Sequence, residues 1–164
     1  MLAPLGAGAL RALSRGDLTA AGAELGLPIP DVFRDDAPVW RLRLRQLEED
    51  PACAPWLIRA AVDRRAGVVV GHAGFHGPPD GDGLVEVGYF VVPEQRRRGY
   101  ARAMLAELLD LARAGGARVV RASIAPGNVP SQALVARFGF RHVGEQYDDV
   151  DGRELVYERR IAGP

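Results

Sequence analysis

The chain has 164 residues, 48% hydrophobic and 26% charged, which is the composition of an ordinary globular domain. Its 21 basic residues balance 21 acidic ones, so the basic excess typical of nucleic-acid-binding domains is missing and no nucleic-acid partner is predicted. A single cysteine excludes an internal disulfide, and with three scattered histidines it predicts no metal site. Because we find neither a leader pattern nor an apolar run of about 18 residues, we expect a cytoplasmic protein that does not enter a membrane.

The first 75 residues predict two helices and several short strands. Residues 10–14 are apolar enough for a short strand, and residues 17–25 predict a short helix that a glycine ends. Residues 37–50 predict a second helix, although their alternation of leucine and arginine also fits a strand. The β-type runs 56–63 and 68–75 flank a short turn sequence that is typical of a hairpin.

A strand–helix–strand unit follows. Residues 76–83 are rich in glycine and proline and predict a turn. Residues 84–92 form the strongest predicted strand, which ends at Pro93 because proline cannot donate to a strand ladder. Residues 101–113 predict a helix, since apolar residues recur there at i, i+3, i+4, i+7, i+8 and i+11. Residues 118–124 predict the next strand.

The last part of the chain predicts a short helix and a hairpin. Residues 130–138 are the helix, and runs 140–147 and 154–161 are the two strands, with Asp151-Gly152 at their turn. Antiparallel strands therefore come first, then the strand–helix–strand unit, then a helix and a hairpin. The sequence predicts a single mixed α/β (α+β) domain over residues 1–164.

The loop between the strongest strand and the clearest helix is suited to hold an anion. It brings free backbone N–H groups to the start of a helix, where the helix dipole favours negative charge. Gly99 and Ala101 carry little or no side chain, so a diphosphate can approach the backbone. Arg97, Arg98 and Arg102 can add charge-assisted hydrogen bonds to phosphate.

Two motifs of this chain resemble those of the GCN5-related N-acetyltransferases. Arg96-x-x-Gly99-x-Ala101, which follows a strand ending in Val-Val-Pro, is similar to the pyrophosphate loop of that family. Asn128-x-x-Ser131, followed by a short helix and a Phe-Gly-Phe sequence, is similar to its second acetyl-CoA-binding motif. The Asn-x-x-Ser form and a Glu-Val-Gly-Tyr-Phe run resemble the branch that includes ribosomal-protein N-terminal acetyltransferases.

The resemblance implies a fold and a co-substrate. It implies a largely antiparallel sheet with flanking helices and a splayed pair of parallel strands, with acetyl-CoA at the point where that pair separates. Backbone groups at the end of strand 84–92 would bind the pantetheine arm, the loop 97–102 would hold the pyrophosphate, and no metal is implied. The implied cofactor-binding residues are Phe90, Val91, Val92, Arg97, Arg98, Gly99, Tyr100, Ala101, Arg102 and Asn128.

Acetyl transfer from a thioester to an amine needs a proton acceptor for the amine and a hydrogen-bond or proton donor for the leaving thiolate. The resemblance assigns the first role to Glu86, acting through a water, because family members place a carboxylate on this strand. Many members use for the second role a tyrosine seven residues after the motif's asparagine, and this chain has Val135 there. Ser131 is then the candidate donor, although a serine hydroxyl is a weak acid.

Each of these residues also fits a role without chemistry. Glu86 fits a surface carboxylate in a cross-strand pair, Ser131 a residue that bonds local backbone, and Asn128 a helix cap. His72 and His76 share a strand face by their period-two spacing. Both histidines fit either the lining of an acceptor site or ordinary strand positions.

The predicted function is transfer of acetyl from acetyl-CoA to a primary amine by direct attack in a ternary complex. A peptide N-terminus and a small-molecule amine both fit as the acceptor, and the loop at residues 27–37 and the final hairpin are expected to shape its site. Two other functions are alternatives. An acyl-CoA-binding sensor without turnover is favoured by Val135, which stands where many family members have a tyrosine. A nucleotide- or nucleic-acid-binding module built on the arginine loop is disfavoured by the zero net charge and by the absence of a Gly-Lys-Ser/Thr phosphate loop. A homodimer through the C-terminal strands also stays open.

Overall fold

The computed structural model describes residues 1–149 and 152–161 of the chain. These residues form two compact units: Met1–Pro78 with Tyr89–Glu107 in the first, and Pro79–Gly88 with the residues from Leu108 onward in the second. Within the described ranges, no helix combines the length and apolar character that crossing a bilayer requires.

The first unit contains three helices and the antiparallel part of the strand system. Its elements are β1 (Leu2–Pro4), α1 (Ala7–Ser14), α2 (Leu18–Leu25), α3 (Ala37–Glu49), β2 (Arg59–Asp63), β3 (Val68–Phe75), the end of β4 (Leu84–Val91) and the start of α4 (Tyr100–Ala114). The strand order here is β1-β2-β3-β4, and β2 runs antiparallel to both of its neighbours. Short 3-10 turns lie at Asp31–Arg34, Pro51–Trp56 and Pro93–Gln95.

The strand predicted at residues 10–14 is wrong, because this segment belongs to α1. Ala9, Leu10 and Leu13 are buried, and their spacing is that of one helix face. They join a core cluster with Phe33 and Trp40, both fully buried. The apolar run is short enough to fit either structure, and packing against the other helices decides for the helix.

The other predictions for the first unit agree with its structure, with shifted ends. Helix 17–25 is α2, which Asp17 caps by accepting the Ala20 N–H (2.9 Å), and helix 37–50 is α3. The predicted hairpin is β2 and β3. Its first strand begins later than predicted, since the prolines of Pro51–Trp56 hold that segment in 3-10 turns.

The second unit holds the parallel strands and the C-terminal hairpin. Its elements are the start of β4, the end of α4, β5 (Val119–Ile124), α5 (Val129–Arg137), β6 (Arg141–Asp148) and β7 (Gly152–Arg160). The strand order is β4-β5-β7-β6, in which β4 and β5 are parallel and the other pairs antiparallel. The predicted helix 130–138 and both hairpin strands are confirmed, whereas Asp151 of the predicted turn lies outside the described residues.

The parallel pairing of β4 with β5 is short. It joins Leu84 to Val119, Val85 to Val120 and Glu86 to Arg121. β5 continues to Ile124 and stays paired with β7 to that point. Beyond Glu86, no residue of the described β4 has a β5 partner in the register. The predicted mixed fold, antiparallel except for one parallel pair, is therefore confirmed.

Candidate active site

The loop between β4 and α4 has an unusual backbone. Arg97 has φ +62°, and among the described residues it is the only one other than glycine with a positive φ. Such a conformation is costly for a residue with a Cβ and persists where the surroundings enforce it, often at functional sites. Gly99 has φ +85°, and no described atom would lie within 4 Å of a Cβ placed on it. The backbone at Gly99 is therefore open to a ligand.

The start of α4 adds hydrogen-bond donors to this loop. The first backbone bond of the helix runs from the Ala103 N–H to the Gly99 carbonyl (3.0 Å). The N–H groups of Tyr100, Ala101 and Arg102 precede that bond, so they are the donors that a helix leaves for an outside acceptor. Together with the helix dipole they favour a bound anion.

The arginines of this loop fall into two groups. Arg96 folds back: its Nε donates to the Val91 carbonyl (3.1 Å), and its guanidinium lies 5.8 Å from the Phe90 ring centroid. Arg98 donates to Gln95 Oε1 (3.1 Å). The exposed Arg97 and Arg102 make no hydrogen bond or ion pair within the described part of the chain. These two guanidiniums are available to a phosphate.

Tyr100 uses its side chain to anchor the helix start. Its hydroxyl donates to Asp63 Oδ2 (2.6 Å), and Asp63 also accepts the N–H groups of Arg65 and Ala66 in the β2–β3 turn. The hydrogen bond from Tyr100 is the main cause that lowers the pKa of Asp63, and the same bond raises the pKa of Tyr100. The hydroxyl proton of Tyr100 is therefore engaged by Asp63, and the backbone N–H of Tyr100 is the donor that this residue offers to a ligand.

The backbone at the end of β4 is partly committed to protein contacts. The Val92 N–H donates to the Val70 carbonyl of β3 (2.9 Å), and the Val91 carbonyl accepts the hydrogen bond from Arg96 Nε. Because neighbouring residues of a strand direct their N–H groups to opposite edges, the Val91 N–H points away from β3. Gly71 of β3 lies against the Phe90 carbonyl, where a Cβ has no room.

His72 is buried in β3 among aromatic side chains. Its ring stacks on Phe90 (centroids 5.2 Å, planes 22° apart) and meets Trp40 and Phe33 edge-on (4.9 and 5.3 Å). Its Nε2–H donates to Asp36 Oδ2 (2.9 Å), since a carboxylate can only accept. His72 is a candidate from the sequence, whereas no sequence pattern marks Asp36, because 36 positions separate the two residues. His76 lies in the loop after β3 and is exposed.

Glu86 lies on a polar face of the second unit. It is half-buried, and its register partner across the parallel pair is Arg121. Arg121 in turn donates two hydrogen bonds to Glu158 Oε1 (2.6 and 3.1 Å), its partner on β7. Directly opposed residues point to the same face of a sheet, so the three charged groups form a row across three strands.

Asn128 and Ser131 lie together at the start of α5. Asn128 Oδ1 accepts the Ser131 N–H (3.3 Å), which is the helix-capping role that the sequence left open. The Ser131 hydroxyl is half-exposed and makes no hydrogen bond among residues 1–149 and 152–161. Val135, one turn further along α5, is fully buried. The position that carries a tyrosine in many proteins with this motif therefore faces the core here.

No cluster of three or more metal-ligating side chains exists in the described ranges. The second unit also carries a phenol near α5 that no sequence pattern indicated. The Tyr157 hydroxyl lies 3.5 Å from Gln132 Oε1, beside Ser131 in α5. No motif marks Tyr157, because only the pairing of β7 with β5 brings it toward this helix.

Comparisons with known proteins give a consistent result. A model of the acetyltransferase (GNAT) family matches residues 23–140. The chain is 34% identical to a phosphinothricin N-acetyltransferase of Streptomyces coelicolor over 97 residues, which is 57% of this chain and 57% of that protein.

Two solved structures have a similar fold over nearly the whole chain. One is a phosphinothricin acetyltransferase from Sinorhizobium meliloti in complex with AcCoA, with a TM-score of 0.65 and 22% sequence identity. The alignment covers 98% of this chain and 88% of that protein. A ribosomal-protein-alanine N-acetyltransferase from Brucella melitensis has a TM-score of 0.63 at 23% identity, with 98% and 99% covered. Since the family model spans more than half of the residues, the chain belongs to the acetyltransferase (GNAT) family.

Proposed function

We propose that this chain, as one N-acetyltransferase domain, transfers the acetyl group of acetyl-CoA to a primary amine by direct attack in a ternary complex. The observation that carries the proposal is the loop before α4. It combines a strained Arg97, an open glycine backbone, helix-start N–H groups and two uncommitted guanidiniums. A diphosphate suits this set, because it accepts several hydrogen bonds and neutralises both cations.

The remaining cofactor contacts follow from the strand end. The Val91 N–H, directed away from β3, supports a hydrogen bond to the pantetheine arm. The side-chain amide nitrogen of Asn128 supports a contact near α5, since its oxygen is occupied by the cap. Arg96 would hold Val91 and Phe90 in place and leave phosphate binding to Arg97 and Arg102.

The chemistry requires two proton movements. The amine nitrogen attacks the thioester carbonyl, the carbon–sulfur bond breaks, and the proton lost by the nitrogen passes to Glu86 through a water. The departing thiolate accepts a hydrogen bond from the Ser131 hydroxyl and takes its proton from solvent. The half-exposed positions of both side chains are compatible with these roles.

For the acceptor we propose a small-molecule amine. The support is the 34% identity to a phosphinothricin N-acetyltransferase, whose name states a small amine-bearing acceptor, whereas the similarity to the ribosomal-protein enzyme is one of fold. A peptide N-terminus is the alternative acceptor.

A calorimetric titration with acetyl-CoA, CoA, ATP and a short DNA duplex tests the proposal, followed by thiol release across amines and peptides. Micromolar binding of acetyl-CoA and CoA is expected, with turnover on a small amine. Arg97→Ala should weaken acetyl-CoA binding about 10- to 150-fold, since a hydrogen bond to a charged group contributes roughly 1.5–3 kcal/mol. The control Arg45→Ala removes an exposed arginine of α3 and should change nothing. Binding without turnover would indicate a sensor, and no binding would refute both.

A further inference from the structure

The aromatic cluster around His72 has an unusual composition for a core. Phe33 and Trp40 are fully buried and His72 is 8% exposed. An imidazole that has lost its water needs a hydrogen-bond partner, because burying an unpaired polar group costs roughly 1–3 kcal/mol. Asp36, in the loop before α3, supplies that partner and accepts the Nε2 proton. A leucine here would need no such carboxylate.

The arrangement fixes the orientation of the imidazole. Trp40 and Phe33 meet the ring edge-on, and the hydrogen bond to Asp36 sets its rotation in its own plane. Trp40 is itself held, since its indole N–H donates to the Phe33 carbonyl (2.7 Å). One face of the imidazole is then presented to Phe90 at 22° from parallel.

Phe90 connects the cluster around His72 to the loop before α4. The Phe90 ring contacts both His72 and the Arg96 guanidinium. Arg96 in turn donates to the carbonyl of Val91. A continuous series of contacts therefore runs from Asp36 through His72, Phe90 and Arg96 to the strand end.

We propose that His72, held by Asp36, is a positioning residue for acetyl-CoA binding. It acts through Phe90, whose ring it keeps parallel to its own, and so sets Arg96 and the Val91 backbone that would meet the pantetheine arm. This inference rests on the proposed function. It differs from a lining role for His72, because the imidazole would act through the Phe90 ring that it contacts.

A double-mutant cycle on acetyl-CoA affinity tests the coupling. The variants are His72→Leu, Phe90→Leu and the double variant, with Kd measured by calorimetry and the folded fraction checked by urea unfolding. Each single change should raise Kd about 5- to 10-fold. The double variant should be little weaker than either single one, because both changes break the same series of contacts. A merely structural role for His72 would lower the free energy of unfolding and change Kd less than twofold.

Two further variants separate orientation from general loss of packing. Phe75→Leu removes another buried aromatic of β3, whose ring partner is Trp56, so it should lower stability with less than a twofold change in Kd. Asp36→Asn keeps a hydrogen-bond acceptor for His72 and should raise Kd less than Asp36→Leu.

The outcomes are distinct. Multiplicative effects of the His72 and Phe90 changes, or a Kd for His72→Leu equal to that of the wild type, would overturn the positioning role while leaving the proposed function intact. An equal effect of Phe75→Leu would overturn it as well. Absence of acetyl-CoA binding by the wild-type protein would refute the proposed function and this inference together.

Discussion

Replacing Gly71 by alanine tests the close approach of β3 to β4. An ideal Cβ at this position overlaps the Phe90 carbonyl oxygen and lies 3.0 Å from the Phe90 carbonyl carbon and 3.1 Å from Met104 Cε. The first two atoms belong to the backbone, so no side-chain rotation relieves the overlap. The strands must separate, and the nearest ladder bond, from the Val92 N–H to the Val70 carbonyl (2.9 Å), is stretched.

The expected cost has two main terms, to which the φ of +157° at Gly71 adds backbone strain in the alanine variant. Forcing an extra carbon into a well-packed region costs about 1–3 kcal/mol. Loss of a hydrogen bond adds about 0.5–1.5 kcal/mol. Gly71→Ala should therefore lower the free energy of unfolding by about 2–4 kcal/mol, a large part of the roughly 5–15 kcal/mol of a typical domain. Acetyl-CoA affinity should fall as well, because Phe90 moves.

Urea unfolding followed by tryptophan fluorescence measures this change. Gly144→Ala in β6 is the matched control, since no described atom lies within 4 Å of a Cβ there and its φ is not positive. A loss below about 0.5 kcal/mol for Gly71→Ala, or a loss equal to that of the control, would show that β3 does not approach Phe90 as described.

Three other changes have expected outcomes. Glu86→Gln should lower kcat about 100-fold or more with an unchanged Kd for acetyl-CoA, as measured by thiol release and calorimetry; an unchanged kcat would exclude it as the base. The hydrogen bond from Tyr100 lowers the pKa of Asp63 in the folded protein. It therefore stabilises the fold at pH values above about 3.9, the pKa of an aspartate in the unfolded chain, and this stabilisation is lost as the pH falls through the lower pKa of the folded state. The stability difference between wild type and Tyr100→Phe should thus shrink below about pH 4 in urea titrations. Burial, and secondarily the charge of Asp50, raises the pKa of the Cys53 thiol. Alkylation of Cys53 by iodoacetamide, followed by mass spectrometry, should therefore be at least about 10-fold slower in the native protein than in the unfolded chain. Equal rates would contradict the burial of this thiol.

Much of the fold was predictable because its signals are local. The prolines, glycines and apolar periods that begin and end α2, α3, α4 and α5 lie within a few residues of the boundaries they set. The segment at residues 10–14 was not predictable from such signals. Its short apolar run fits strand and helix alike, and contact with other helices decided between them.

The candidate site also has one part that local sequence signals predicted and another that they did not. The loop from Arg97 to Arg102 is contiguous, so its residues alone predicted an anion site, and its resemblance to a known motif, together with that of the Asn128 motif, pointed to the family to which the chain belongs. The roles of single side chains were not readable from spacing. Arg96 folds onto Phe90 and Tyr100 anchors to Asp63, whereas for Asn128 the cap of α5 was one of two roles that the sequence allowed.

The sequence by itself determined which segments are helices and strands over most of the chain, and where an anion can meet free N–H groups. These properties depend on residues within one or two turns of each other. The tertiary structure alone decided that Asp36 meets His72 and that Arg121 stands between Glu86 and Glu158. Those contacts join residues more than 30 positions apart, and only the packing of helices and the register of strands brings them together.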